Sequence, residues 1–445
     1  MPPTQFLGMG LGATRRAQPS VPVRARSAAS LRECPNCSLL QTIPPLPVGG
    51  MARCPRCHAV LRRRRVDPLG RPLAMALTGL CLMLLASSLP FLDLDVHGIG
   101  RQTTLISGPL QLEQRGMAPL AVVVLATTLA APVARLLALA WVLGGLRLQR
   151  PPRHLGSVFR WVEWLRPWSM VEVFLLGVFV AYTKLKDLAE VQVGPACYAM
   201  GMLMLVMAAV DATLDPEAVW DAVPPRGEAR PPPALARDGA RDGADRRPVG
   251  CMVCHQVTFV ETACPRCGAA LQRRKPHSIT RAWALLLAAA CLYVPANMLP
   301  VLTFVRLGHG EPSTILAGVE QLAEAQMWPL ALLVFVASIT VPVLKILSLG
   351  MMLITTQRRS GWRLRERTRL YRIIDFIGRW SMIDVFMISI LTALVRLGAI
   401  ASVYPGRGVL AFCAVVILTI LATECFDPRL MWDAAEVPAG HAARA

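Results

Sequence analysis

The chain has 445 residues, of which 54% are hydrophobic and only 17% charged, and its mean hydropathy is +0.47. Soluble chains carry roughly 25% charged residues, so this balance excludes an ordinary soluble enzyme and predicts a polytopic membrane protein. The 47 Lys+Arg against 28 Asp+Glu give a formal charge of +19, and the arginines flank apolar segments, as in cytoplasmic loops facing anionic headgroups rather than in a nucleic-acid-binding domain.

In chain order, residues 1–30 are rich in Arg, Pro, Ser and Ala and read as a disordered tail. They lack a basic start running directly into a long apolar stretch, so no cleaved signal peptide is expected; a transit peptide is the alternative. Residues 31–66 hold Cys34-Pro-Asn-Cys37 and Cys54-Pro-Arg-Cys57. Residues 72–214 hold four apolar spans, near 72–92, 117–146, 167–189 and 194–214. A charged, proline-rich linker follows at 215–250 and reads as disordered. Residues 251–275 hold Cys251-Met-Val-Cys254 and Cys264-Pro-Arg-Cys267, and 281–427 hold spans near 281–304, 327–356, 375–397 and 407–427. Residues 428–445 form a C-terminal tail.

This order is a duplication. Thr103-Thr-Leu-Ile-Ser-Gly108 matches Ser313-Thr-Ile-Leu-Ala-Gly318 at an offset of 210, as do Pro119 with Pro329 and Pro132 with Pro342. Trp168-Ser-Met-Val-Glu172 matches Trp380-Ser-Met-Ile-Asp384 at 212, as do Asp215-Pro216 with Asp427-Pro428 and Trp220-Asp221 with Trp432-Asp433. Four spans is an even number, so the repeats sit the same way up. The predicted fold is therefore an all-α polytopic membrane protein. It has two parallel repeats of four transmembrane helices, each preceded by a small zinc-ribbon-like module of four cysteines. Segments 91–98 and 301–305 alternate apolar and polar residues before a turn, which predicts a short β-hairpin on the far, periplasmic face of each repeat. Segments 147–166 and 357–372 carry five and seven arginines and read as inside loops, which puts both termini, both cysteine modules and the linker in the cytoplasm.

Each module supplies four thiolates, the tetrahedral set Zn²⁺ prefers. The metal set is Cys34, Cys37, Cys54, Cys57 and Cys251, Cys254, Cys264, Cys267. Four closed ligands make these structural sites, with rubredoxin-like iron as the alternative metal. His58 and His255 sit beside ligands but are surplus, and both read as solvated.

Ionisable groups inside a span are costly and usually functional. Arg135 and Lys345 each follow a span proline, Pro132 and Pro342, by three residues. Glu172 and Asp384 lie one turn inside the third spans, where they serve function or merely complement the helix dipole. Lys184 and Asp187 are spaced to share a helix face near the end of the third span; the alternative is that Lys184, Lys186 and Asp187 snorkel at the interface. Ser338, Ser381, Thr419 and Thr423 either join a polar network or bond their own helix backbone. No Gly-Lys dipeptide exists, which excludes a Walker A loop, and none of the seven histidines lies in an apolar run, which argues against a membrane haem. No enzyme activity is expected.

The doubled Cys-x-x-Cys module, the eight spans, the doubled Trp-Ser-Met-x-acidic element and the Pro295-Ala-Asn-Met-Leu-Pro300 run resemble the paraquat-inducible protein A (PqiA/LetA) family of proteobacterial inner membranes. The resemblance covers about 33–433, and the first repeat departs from it at 85–90, where no asparagine matches Asn297. It implies a partner, a periplasmic MCE-domain protein forming a tunnel between inner and outer membranes, and a phospholipid cargo. It further implies that the chain loads or extracts the lipid through a groove between the repeats. The polar groups would bind a headgroup, carry protons, or both, with proton motive force as the energy source. The alternative function is a non-transporting anchor or scaffold for the tube, with structural zinc modules.

Overall fold

The computed structural model describes residues 30–96, 99–152, 154–185, 190–224, 248–258, 262–306, 309–395 and 401–436. The predicted N-terminal tail, the middle of the linker and the end of the C-terminal tail lie outside them. The first cysteine module is two antiparallel hairpins, β1 (Ser30–Glu33) with β2 (Leu40–Ile43) and β3 (Met51–Arg53) with β4 (Val60–Arg63). Each hairpin turn carries one Cys-x-x-Cys. The residue after the second cysteine has a left-handed backbone, which few side chains tolerate. It is Ser38 (φ 58°) and His58 (φ 58°) here, and His255 (φ 55°) and Gly268 (φ 71°) in the second module. That conformation returns its N–H to the first cysteine's carbonyl, at 3.0 Å for Ser38 to Cys34 and 2.9 Å for His58 to Cys54. His58 and His255 are thus turn residues. His58 is exposed, whereas His255 is half-buried rather than fully solvated.

The first repeat contains helix α1 (Gly70–Ser88), strands β5 (Leu92–Val96) and β6 (Ile99–Thr103), and helices α2 (Ser107–Gln114), α3 (Ala118–Leu125), α4 (Ala131–Gly145), α5 (Leu155–Leu165) and α6 (Val171–Leu185). Strand β7 (Glu190–Val193) and helices α7 (Pro195–Thr213) and α8 (Pro216–Ala222) complete it. The second module has strands β8 (Val249–Gly250) and β9 (Val257–Thr258). The second repeat runs α9 (Ser278–Met298), β10 (Leu302–Arg306), β11 (His309–Ser313), α10 (Ile315–Glu324), α11 (Trp328–Phe335), α12 (Val341–Gln357), α13 (Leu364–Ile377), α14 (Ile383–Leu394), β12 (Ala401–Pro405), α15 (Gly408–Cys425) and α16 (Arg429–Glu436).

Eight helical runs among the described residues are long and apolar enough to cross a bilayer. Leu84, Met298, Leu332 and Leu347 stand exposed on their outer faces, as lipid contact requires. In the second run of each repeat, α3 joins α4 through a π-helical turn at Ala126–Ala130, and α11 joins α12 through one at Val336–Thr340. Pro132 and Pro342 follow directly. A proline has no N–H and its ring displaces the carbonyl four residues back, and the wider turn absorbs that clash without a break.

The structure differs from the sequence reading at three places. The hairpins gain a third strand: β5 pairs with both β6 and β7, and β10 with both β11 and β12, all antiparallel. The added strand follows the third span, whose helix α6 ends at Leu185, leaving Glu190–Val193 extended. The arginine-rich segments 147–166 and 357–372 also contain helix. Their arginines hide an amphipathic repeat, in which α5 buries Leu155, Phe159 and Val162 at helical spacing. Finally, the start of the linker and of the C-terminal tail is helix rather than loose chain. Asp215 caps α8 by accepting the N–H groups of Glu217 and Ala218, and α8 and α16 bury Trp220 and Trp432.

The third spans meet at the centre. All twelve residues of α14 are buried, and α14 packs on α6 at Gly177, where a Cβ would lie 2.9 Å from that of Phe386. The short outer helices cross over. Gly108 of α2 lies against Ser389 of α14, and Gly318 of α10 lies against Lys184 of α6. The first repeat thus rests α2 on the second repeat's third span, while α10 meets the first repeat's third span through the Lys184 side chain.

Candidate functional site

In each cysteine module the four sulfurs lie within 4.8 Å of one another and are buried. The Cys34–Cys57, Cys37–Cys54, Cys251–Cys267 and Cys254–Cys264 sulfur pairs are 3.5 Å apart. That is far beyond a disulfide bond and near the edge of about 3.8 Å for a tetrahedron with 2.3 Å metal–sulfur bonds. The backbone N–H groups of Leu39, Ala59 and Ala269 aim at the sulfurs of Cys37, Cys57 and Cys267, as thiolate ligands need. Each cage could hold a metal ion.

The intramembrane groups do not form one network; they divide among four places. The first lies between the repeats. Lys184 at the end of α6 and Asp384 at the start of α14 line one small cavity with Ser313, Thr314, Gly318 and Ile388. A Cβ built on Gly318 would lie 3.5 Å from Lys184 Nζ, an ordinary van der Waals distance, which places the ammonium directly over this turn of α10. Asp384 is 3% exposed, and neither of its carboxylate oxygens has a hydrogen-bond partner among the described residues. The groups acting on it are the Lys184 ammonium and the buried Ser338 hydroxyl, which faces it outside strict hydrogen-bond geometry. Ser338 sits in the π-helical turn. Asp187, grouped with Lys184 from the sequence, lies outside the described residues, as do Lys186 and Arg396.

The second place is within the second repeat. Lys345, 3% exposed, donates from Nζ to Thr419 Oγ1 at 2.9 Å, and Thr419 in turn donates to Val416 O at 2.9 Å. The ammonium lies against Gly378, where a Cβ would come within 2.9 Å. The carboxylate acting on it is Asp375, one turn before Gly378. Ser381, also buried, has an unpartnered hydroxyl among the described residues. Thr423 donates to the carbonyl of Thr419 along its own helix.

The third place is within the first repeat, where Arg135 of α4 forms an ion pair with Asp211 of α7, flanked by Arg166 at 3.6 Å. The fourth joins the repeats again: Glu172 forms an ion pair with the Arg379 guanidinium at 3.7 Å and keeps 35% of its side chain exposed. The sequence reading missed Asp211, Asp375 and Arg379. All three fall inside predicted spans, Asp211 in 194–214 and Asp375 and Arg379 at the start of 375–397, so each was legible as a charge within a span.

Comparison with known proteins accords with this duplicated layout. A family model described as "Paraquat-inducible protein A" matches residues 69–224 and again 279–436. The chain is 35% identical over 402 residues to "Intermembrane transport protein PqiA" of Escherichia coli K12, covering 90% of this chain and 95% of that protein. It is 34% identical over 407 residues to "Lipophilic envelope-spanning tunnel protein A" of the same strain, covering 91% and 92%. It is 26% identical over 413 residues to "Probable intermembrane transport protein" of Haemophilus influenzae, covering 90% and 95%. No solved structure matches the chain. The family model recognises each repeat separately, and two relatives share about a third of their residues across nine-tenths of this length. The chain therefore belongs to the paraquat-inducible protein A family.

Proposed function

We propose that this chain is an inner-membrane subunit that loads or extracts phospholipid for a periplasmic MCE-protein tunnel, with its termini in the cytoplasm and Zn²⁺ in both cysteine cages. The observation that carries the reading is the cavity between the repeats, where Lys184 of one faces the buried Asp384 of the other, whose carboxylate oxygens hold no hydrogen bond among the described residues. A membrane protein retains such groups at a cost unless they act. A lysine of this kind matches a lipid phosphate, and a carboxylate beside it can neutralise the lysine once the headgroup leaves. Lys345 with Thr419 is a second polar station, on the side of α14 toward α12 and α15. The names of the relatives, which speak of intermembrane transport and an envelope-spanning tunnel, agree with this reading.

The test is lipid transfer from proteoliposomes to a copurified MCE-domain partner, with and without a pH gradient. Lys184→Ala, Lys345→Ala and Asp384→Asn should each slow transfer at least roughly tenfold, the loss of about 1.4 kcal/mol of binding or barrier. Undiminished transfer in all three removes these groups from the mechanism and leaves a passive anchor. Native mass spectrometry should find two Zn²⁺ per chain; iron would refute the metal assignment.

A further inference from the structure

The cysteine modules do not simply cap their own repeats. The buried residues of the first module, Cys34, Cys37, Cys54, Cys57 and Ala59, belong to one apolar cluster with Trp432, Met431, Ala282 and Met352 of the second repeat. The buried cysteines of the second module, with Ala269 and Leu271, belong to the large cluster that runs through both repeats and includes Val219 and Trp220 of the first repeat's terminal helix.

Polar contacts follow the same crossing. Arg56 stands between Cys54 and Cys57 of the first module. It pairs with Glu436 and lies over the Trp432 ring at 4.4 Å, both in the terminal helix α16 of the second repeat. Arg372 of the second repeat donates to the Cys57 carbonyl at 3.2 Å. Arg266 occupies the place of Arg56 in the second module, and it donates to Asp221 of α8, the terminal helix of the first repeat, at 2.6 Å. Each module also holds its own repeat. Arg32 pairs with Glu217 at 2.8 Å, Arg62 with Asp221 at 3.1 Å, and Arg274 with Asp433 at 2.5 Å. The two modules touch through Glu33, which accepts Gly250 N–H at 2.7 Å.

We propose that the modules form a metal-dependent cross-brace, in which each tethers its own repeat by arginines outside its Cys-x-x-Cys turns and grips the opposite repeat's terminal helix by a knuckle arginine. The physical reason lies in module size. Residues 31–66 and 251–275 are too short to build an apolar core of their own, so the four sulfur–metal bonds hold the knuckle against the strands. With metal bound, the two contact surfaces of a module are rigidly related, and so are the two repeats. Without it the knuckle can leave while the arginines outside the Cys-x-x-Cys turns stay. The metal then acts at a distance on how the repeats sit relative to each other, independently of any lipid.

Hydrogen exchange of the full chain in detergent tests this, with metal content measured in parallel. Arg266→Ala should keep two metals per chain and speed amide exchange roughly fivefold in 217–223 of the first repeat, leaving 430–436 unchanged. Arg56→Ala should do the reverse. EDTA with a thiol reductant should speed exchange in both helices at once, by more than either substitution. Asp221→Asn, altered on the helix side, should loosen 264–268 of the second module. Exchange rising in a module's own repeat instead, or unchanged in α8 and α16 after metal removal, overturns the cross-brace.

Discussion

Arg135 and Lys345 occupy the same position in the two repeats, three residues past a proline and just after a π-helical turn. Their surroundings differ. Arg135 meets the carboxylate of Asp211, whereas among the described residues Lys345 meets only the hydroxyl of Thr419 within hydrogen-bond distance. Where the first repeat has Asp211, the second has Thr423 at the 212 offset, which bonds its own helix. The acids diverge as well. Glu172 is partly exposed and held by Arg379, while Asp384 is buried and holds no hydrogen bond among the described residues. The first repeat has paired Arg135 and Glu172 with opposite charges, whereas the equivalent Lys345 and Asp384 of the second have no hydrogen-bonded ion pair among the described residues, and an uncompensated buried charge is kept where it is used.

Removing charge from the two acids tests that division most sharply. Asp384→Asn should cut lipid transfer at least roughly tenfold, and Glu172→Gln less than roughly twofold, because the latter loses only a partly solvated ion pair. Equal losses would show that the repeats act alike. The buried cations test it through stability. Asp211→Asn strands the Arg135 guanidinium and should cost about 2 kcal/mol, below the usual figure for a buried pair because Asp211 is 32% exposed. Lys345→Met removes an ion without a hydrogen-bonded carboxylate and should leave stability unchanged or raise it by up to about 1 kcal/mol. Thermal unfolding in detergent reads both, and a large loss for Lys345→Met would make that lysine structural.

The smallest effect concerns Asp215 and Asp427, repeat equivalents just past the last spans. Burial raises the Asp215 pKa, which outweighs the Glu217 and Ala218 N–H groups it accepts at 3.2 and 3.3 Å. Burial also pushes Asp427 upward, but the Arg429 guanidinium, bonded at 3.0 and 2.9 Å, holds it below the usual value of 3.8. A depressed carboxylate contributes stability that is present above its unfolded pKa and lost as pH falls through the folded one. Asp427→Asn should therefore cost about 1–2 kcal/mol at pH 7 and progressively less below pH ~4. A raised carboxylate has the opposite sign, and asparagine keeps the helix cap, so Asp215→Asn should be neutral or slightly stabilising at pH 7. Melting temperatures of both variants between pH 3 and 7 decide the matter.

The spans, their duplication and the eight caged cysteines were legible because each rests on a local pattern: a run of apolar residues, an offset, or a fixed two-residue spacing. Even helices α5 and α13 carried a signal, though the arginines along them made them look like loop. Strand β7 was missed because four alternating residues after a long apolar helix resemble the helix end. Lys345 and Asp384, singled out from the sequence, both lie buried, but only Asp384 shares a cavity with Lys184, since spacing along a chain says nothing of which side of α14 a neighbour occupies.

By itself the sequence determined what had to be hidden from water and how often the plan was repeated. Hydropathy, periodicity and ligand spacing are properties of neighbouring residues, and they act before any two segments meet. The tertiary structure alone decided which charges face which. Lys184 reaches Asp384, Arg379 reaches Glu172 and Arg266 reaches Asp221 only because the repeats interlock, and such contacts between distant segments depend on packing that no local pattern encodes.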